Sequence, residues 1–281
     1  MEQFKYRYRK LFFIIVIKAQ LVFLKLYYVV NRNEELFSII QENRKYLNSI
    51  NKFLPENVYS KNDYGVQRRI YENLEKEIVN LPTYSDLIIF FIRNIFNGKI
   101  NYLEIGVSVL KNYLQINKGI KNSTIVAYDI NDLNPNFNNL KKIKENNNNL
   151  VYFKGSVLSE DDAKKFNESF KEGFDFIFSD ALHEPDAIRS EYELIIKNNL
   201  KNEFIIYYDD LDFDGIEKEL INIRNNLENY VSKTINLYTL NIYGWIGQNE
   251  KLHKNGILTT FDLESFFKNN KLKILNLKKV Y

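Results

Sequence analysis

The chain has 281 residues, 45% of them hydrophobic, enough for one full core and an extension. Its 39 basic and 36 acidic residues leave a formal charge of +3, which makes no electrostatic case for nucleic-acid binding. Without cysteine, and with only His183 and His253, it excludes a disulfide framework, a thiolate zinc site, a cysteine nucleophile and a histidine-rich metal centre.

At the amino terminus Lys5, Arg7, Arg9 and Lys10 precede an apolar run at 11–17, the order of a signal or anchor. Lys18, Gln20 and Lys25 interrupt it before the roughly 20 apolar residues that span a bilayer. An amphipathic or packed helix is the preferred reading, with a cytoplasmic location. A membrane-surface or signal-anchored segment is the competing one. Residues 1–98 lack any strand-then-helix alternation and read as a helical extension or cap, broken at Asn31-Arg32-Asn33, Leu54-Pro55 and Leu81-Pro82.

From 99 to 281 the pattern changes to short β-branched or aromatic runs separated by polar helical stretches, which predicts a mostly parallel sheet with helices on both faces. The strand candidates are 100–105, 125–130, 150–154, 174–180 and 203–209, with crossover helices at 159–171 and 185–197. Ser159-Glu160-Asp161-Asp162 has the composition of a capped helix start. Asn146 to Asn149 reads as a loop. A helix follows Gly215, and 234–245 with 256–260 predicts a closing antiparallel hairpin. The sum is a Rossmann-like α/β domain with a seven-stranded sheet.

In such sheets ligands bind at the carboxyl ends of the strands. Glu104-Ile105-Gly106 delivers a carboxylate that can accept from an amine or ribose, with a glycine that lets the backbone approach a ligand. Asp129 ends the second run in the same way, so a nucleoside fits between the two. Asp180, Asp209 and Asp210 follow the fourth and fifth runs. If they converge, oxygen-only ligation suits Mg²⁺. His183, three residues after Asp180, carries an imidazole, a group that can remove a proton near pH 7; a place on the surface or behind the site is the alternative. For Asp209-Asp210 the alternative is a turn pair. His253 has no such company and reads as a loop residue.

Over about residues 98–250 these motifs resemble the class I S-adenosylmethionine-dependent methyltransferases, especially a branch of metal-dependent sugar O-methyltransferases. The resemblance implies S-adenosylmethionine held by Glu104, Gly106, Ser108, Asp129 and Ser156. It further implies Mg²⁺ on Asp180, Asp209 and Asp210, and proton abstraction or substrate orientation by His183. Ser156 stands where the family often has an acid, and Leu110 where it usually has a second glycine. Tyr207, Tyr208, Tyr243 and Trp245 are candidates for the walls of a pocket for a small-molecule or glycan acceptor. A nicotinamide-dependent oxidoreductase is disfavoured because G-x-G-x-x-G is absent, and a catalytically silent binding module is the competing reading. Membrane contact through the first helix and self-association stay open.

Overall fold

The computed structural model describes residues 33–50, 82–108, 110–133, 146–242, 253–272 and 275–281, with positions 19 and 22. The rest of 11–30, together with Tyr243 and Trp245, lies outside the described residues. Among the described residues no helix is long and apolar enough to cross a membrane.

Among the described residues, helices α1 (Glu34–Ile50) and α2 (Tyr84–Ile95) precede the sheet. Then come β1 (Asn101–Ile105), α3 (Lys111–Gly119), β2 (Thr124–Asp129), β3 (Asn149–Lys154), α4 (Glu160–Ser169) and β4 (Phe174–Ser179). Helix α5 (Pro185–Glu191) continues through a π turn (Tyr192–Ile196) and a 3-10 turn into β5 (Leu200–Tyr208). The chain closes with α6 (Ile216–Val231), β6 (Asn236–Ile242), β7 (His253–Thr259), α7 (Leu263–Asn269) and β8 (Lys278–Val280).

The strands form one sheet in the order β3-β2-β1-β4-β5-β7-β6-β8. Strands β1 to β5 are parallel, and β7 pairs antiparallel with both β5 and β6. The seven expected strands are therefore joined by an eighth. Strand β8 is three residues long, two of them lysines, and carries no alternation that a sequence pattern could reveal. His253 is the first residue of β7, opposite Ile242, and not a loop residue.

Both faces of the sheet are covered, as continuous apolar runs require. On β2, Ile125 and Ala127 join one core with α1, α2 and α3, while Val126 and Tyr128 join the other with α4, α5 and α6. Burial at period two is what makes these segments strands. The capped start of α4 is present, with Ser159 Oγ accepting from the Asp162 N–H at 3.2 Å. In the asparagine run, Asn146 and Asn147 turn through positive φ (71° and 59°), which asparagine tolerates.

A buried polar knot docks α1 on α2. Asp86, fully buried, accepts from Arg44 Nη1 (3.1 Å) and Nη2 (2.6 Å) and from Asn43 Nδ2 (2.7 Å). Its Oδ2 also takes the Thr83 backbone N–H at 2.8 Å, so the same carboxylate satisfies an open donor where α2 begins.

Candidate functional site

Strand β1 has β2 on one side and β4 on the other, so the winding reverses there and a crevice opens at the carboxyl ends. Gly106 lines it at φ +84°. A Cβ there would lie 2.2 Å from the Asp180 carbonyl oxygen, so the first crossover loop and the end of β4 touch only because this residue has no side chain. Backbone bonds step the strand ends together: Gly106 N–H to Tyr128 O (2.8 Å), Asp180 N–H to Ile105 O (2.8 Å) and Asp209 N–H to Ser179 O (3.1 Å).

Asp129 clamps that loop. Its Oδ2 accepts from the Val107 and Ser108 N–H groups, both at 2.9 Å, and its Oδ1 from the Asn131 backbone N–H at 2.8 Å. The carboxylate expected to face ribose hydroxyls is thus also the anchor of the glycine loop. Glu104 lies deeper, 1% exposed, with one oxygen accepting from Tyr102 OH (2.9 Å) and Asn112 Nδ2 (2.8 Å). Burial pushes its carboxyl up to about 8, against the lowering effect of those two donors. Ser108 stands in the loop at φ +46°. Ser156 belongs to the turn after β3, where its N–H meets Asp162 Oδ2 (3.1 Å) and its Oγ accepts from the Leu158 N–H (3.2 Å).

Leu110 sits at φ +72°, a costly conformation for a side-chain-bearing residue, yet its side chain is completely buried in the apolar core. It therefore turns inward, away from the face of the loop that a ligand would approach. Leu110→Gly relieves roughly 1–2 kcal/mol of backbone strain but gives up roughly 3–5 kcal/mol of packing. Urea denaturation should show a net loss of about 1–4 kcal/mol, and a gain in stability would contradict the inward packing.

The acidic strand ends gather around an imidazole. His183 Nε2 is 3.7 Å from Asp180 Oδ1 and His183 Nδ1 is 3.6 Å from Asp210 Oδ2, each side chain about a quarter exposed. The ring lies on Phe213, centroids 5.3 Å apart at 27°. Asp210 takes φ +53°, which aims it toward His183 while Asp209 points inward. Asp209 accepts a short hydrogen bond from Asn255 Nδ2, and Asn255 Oδ1 in turn accepts from Tyr207 OH at 2.8 Å. Burial, then the charges of Asp209 and Asp210, push the Asp180 carboxyl well above the usual carboxylate range.

Sequence reasoning missed three residues here. Asn255 lies on β7 and reaches Asp209 only through the insertion of β7 next to β5. Tyr84 opens α2 and packs on Phe178 at 5.0 Å. Lys111 opens α3, is 9% exposed, and holds its Nζ 5.6 Å from the centre of the Tyr84 ring. Burial lowers its ammonium to about 8, opposed by the charges of Asp180 and Asp209. The capping pattern Thr83-x-x-Asp86 was the available signal for Tyr84. Tyr207 and Tyr208 are wholly buried and belong to the core, so they form no acceptor wall.

All-oxygen donors under mutual repulsion suit a hard cation in chemistry. Yet among the described residues no three carboxylates or imidazoles are gathered closely enough to hold one metal ion. Asp209 is engaged by Asn255, and Asp180 and Asp210 bracket opposite nitrogens of His183. As arranged, Asp180, Asp209 and Asp210 do not fit Mg²⁺.

No protein-family model matches the chain, and no curated protein matches it. Among solved structures it is similar to an O-methyltransferase from Bacillus cereus in complex with SAH (TM-score 0.44, 14% identity, 78% of this chain and 100% of that one). It is also similar to the O-methyltransferase TomG from Streptomyces achromogenes in complex with SAM (0.43, 12%, 78% and 99%). A third is the methyltransferase MycE of mycinamycin biosynthesis, in complex with Mg and SAH (0.40, 18%, 75% and 65%). All three scores lie below 0.5, too low to support an inference about chemistry.

Proposed function

We propose that the chain transfers a methyl group from S-adenosylmethionine to a hydroxyl of a small-molecule or glycan acceptor, with residues 99–281 forming the catalytic domain and 1–98 its cap. The observation that carries this reading is the joining of two features at one crevice. A glycine loop clamped by Asp129 lies beside an imidazole held between Asp180 and Asp210. The first supports a nucleoside with a charged amino-acid tail, with Glu104, Gly106, Ser108, Asp129 and Ser156 as the cofactor contacts. The second supports a base.

The chemistry balances without an oxidant. The acceptor hydroxyl loses its proton to His183, its oxygen forms the new C–O bond, and the S–C bond of the sulfonium breaks to leave S-adenosylhomocysteine. The flanking carboxylates stabilise the imidazolium that results, and alignment of donor and acceptor supplies most of the acceleration.

Calorimetric titration with S-adenosylmethionine and S-adenosylhomocysteine tests the reading, and absence of binding by both would end it. Glu104 adds a pH signature. Its folded-state value is raised from the ordinary carboxylate range to about 8, so the stability it contributes is present at low pH and is lost as pH rises through 8. Binding a cationic amine requires the ionised form and expels that proton. Affinity should therefore fall about tenfold per unit from pH 8 toward pH 6, with proton release visible in buffers of different ionisation enthalpy. Glu104→Gln should flatten the profile. A flat wild-type profile would remove Glu104 from the cofactor contacts.

A further inference from the structure

Four of the seven large apolar side chains exposed among the described residues follow the carboxyl ends of the strands: Ile130 after β2, Leu158 after β3, Leu182 after β4 and Phe213 after β5. Open α/β sheets take their ligands at that edge, and apolar surface gathered there marks a place for something to bind. Two of the four stand at the base. The Phe213 ring lies on the His183 imidazole, centroids 5.3 Å apart at 27°, yet the residue is still 53% exposed. Leu182, 45% exposed, immediately precedes His183. The turn that carries Phe213 is tied down. Leu211 N–H donates to Lys254 O (2.7 Å), Asp212 Oδ2 accepts from the Lys254 N–H (3.0 Å) and Phe213 N–H donates to Asp210 O (3.3 Å). The ring is thus held in place before any ligand arrives, which lowers the cost of binding. The same loops carry two carboxylates in 180–184 and four in 209–214, with no lysine or arginine in either. A negatively charged acceptor meets repulsion there, whereas a neutral ring meets an apolar face.

The geometry points to Phe213 as the residue that selects the acceptor. It receives the apolar face of an uncharged ring that carries the hydroxyl, and the surrounding carboxylates reject a ring that bears an anion. The inference rests on the methyl-transfer reading, because the contact between Phe213 and His183 sets the ring's hydroxyl beside the base. A phenol and the C–H face of a sugar both offer this chemistry. Phe213 determines specificity in this scheme and takes no part in moving the proton.

Saturation-transfer NMR on the full chain with saturating S-adenosylhomocysteine tests both sources, each as a pair that exchanges a hydroxymethyl group for a carboxylate. The pairs are 4-hydroxybenzyl alcohol with 4-hydroxybenzoate, and methyl glucoside with methyl glucuronide. At least one neutral ring should bind at about millimolar concentration, and its anionic twin more weakly by roughly tenfold or more. Phe213→Ala should weaken the neutral ring by about three- to tenfold, the range of an aromatic contact, and Phe213→Tyr should restore it. Affinity for S-adenosylhomocysteine should be the same in both variants as in wild type. An anionic twin that binds as tightly as its neutral partner overturns the inference, as does neutral-ring binding that Phe213→Ala leaves unchanged. A chain that binds S-adenosylhomocysteine but neither neutral ring overturns it too. Should Phe213→Ala fail to fold, the two pairs on the wild-type chain decide alone. Failure of S-adenosylhomocysteine itself to bind removes the methyl-transfer reading, and the same ring titrations without it still decide whether Phe213 receives a neutral ring.

Discussion

Gly106→Ala should be the most damaging alanine substitution among the described glycines, costing roughly 3–5 kcal/mol and most of the affinity for S-adenosylhomocysteine. Two costs add. At φ +84° any side chain is strained, by about 1–2 kcal/mol. The new Cβ would also be 2.2 Å from the Asp180 carbonyl oxygen and 2.6 Å from Ala181 Cα, and neither backbone atom can swing aside like a flexible side chain. Relief requires the loop and the end of β4 to part, which breaks the step from Asp180 N–H to Ile105 O and moves His183 with its carboxylates. Guanidinium unfolding measures the first effect and calorimetry the second. A variant within 1 kcal/mol of wild type that binds the cofactor normally would mean that the loop and β4 are not in this contact.

Asp86→Ala should lose about 3–5 kcal/mol, the range for removing one partner of a buried ion pair. Arg44 and Asp86 side chains are 5% and 0% exposed, so the guanidinium left behind keeps its desolvation cost and loses two hydrogen bonds. Asn43 and the Thr83 N–H lose an acceptor in the same stroke. A double change, Arg44→Met with Asp86→Leu, removes both charges and should recover a large part of the loss. The urea midpoints of Arg44→Met, Asp86→Leu and their double variant form the cycle, and equal losses in single and double variants would show that charge burial is not the cause. Because Asp86 lies two residues after Tyr84, Asp86→Ala should also disturb the aromatic rest of Lys111.

Much of the fold is written in local patterns. Ile125, Val126, Ala127 and Tyr128 form an uninterrupted apolar run, which only a strand covered on both faces can bury, and the observed division of these four between two cores follows from a period of two. The same reasoning places Asp129, Asp180 and Asp209 at strand ends, and their order along one edge follows from parallel pairing. The start of α4 at Ser159 is equally local, since a hydroxyl three residues before an open N–H needs no distant partner. By contrast, β8 has no signal of its own, because three residues pair only where an edge is already waiting.

For the site, residue types and their placement on one edge were determined by the sequence, whereas which partner each side chain takes was decided only by the tertiary structure. Glu104 and Asp129 look alike in sequence, both ending strands. In the fold one is buried beneath Tyr102 and Asn112, and the other binds the amides of the glycine loop. Leu110 reads as an obstruction until its left-handed backbone is seen to turn the side chain into the core. The neighbours of these strand ends come from far along the chain: Asn255 of β7 reaches Asp209, and Tyr84 of α2 packs on Phe178 near the end of β4. Hydrophobic periodicity acts over neighbouring residues and is legible one segment at a time. The pairing of buried charges is set by desolvation across the packed strand ends, and it exists only once the sheet has brought those ends together.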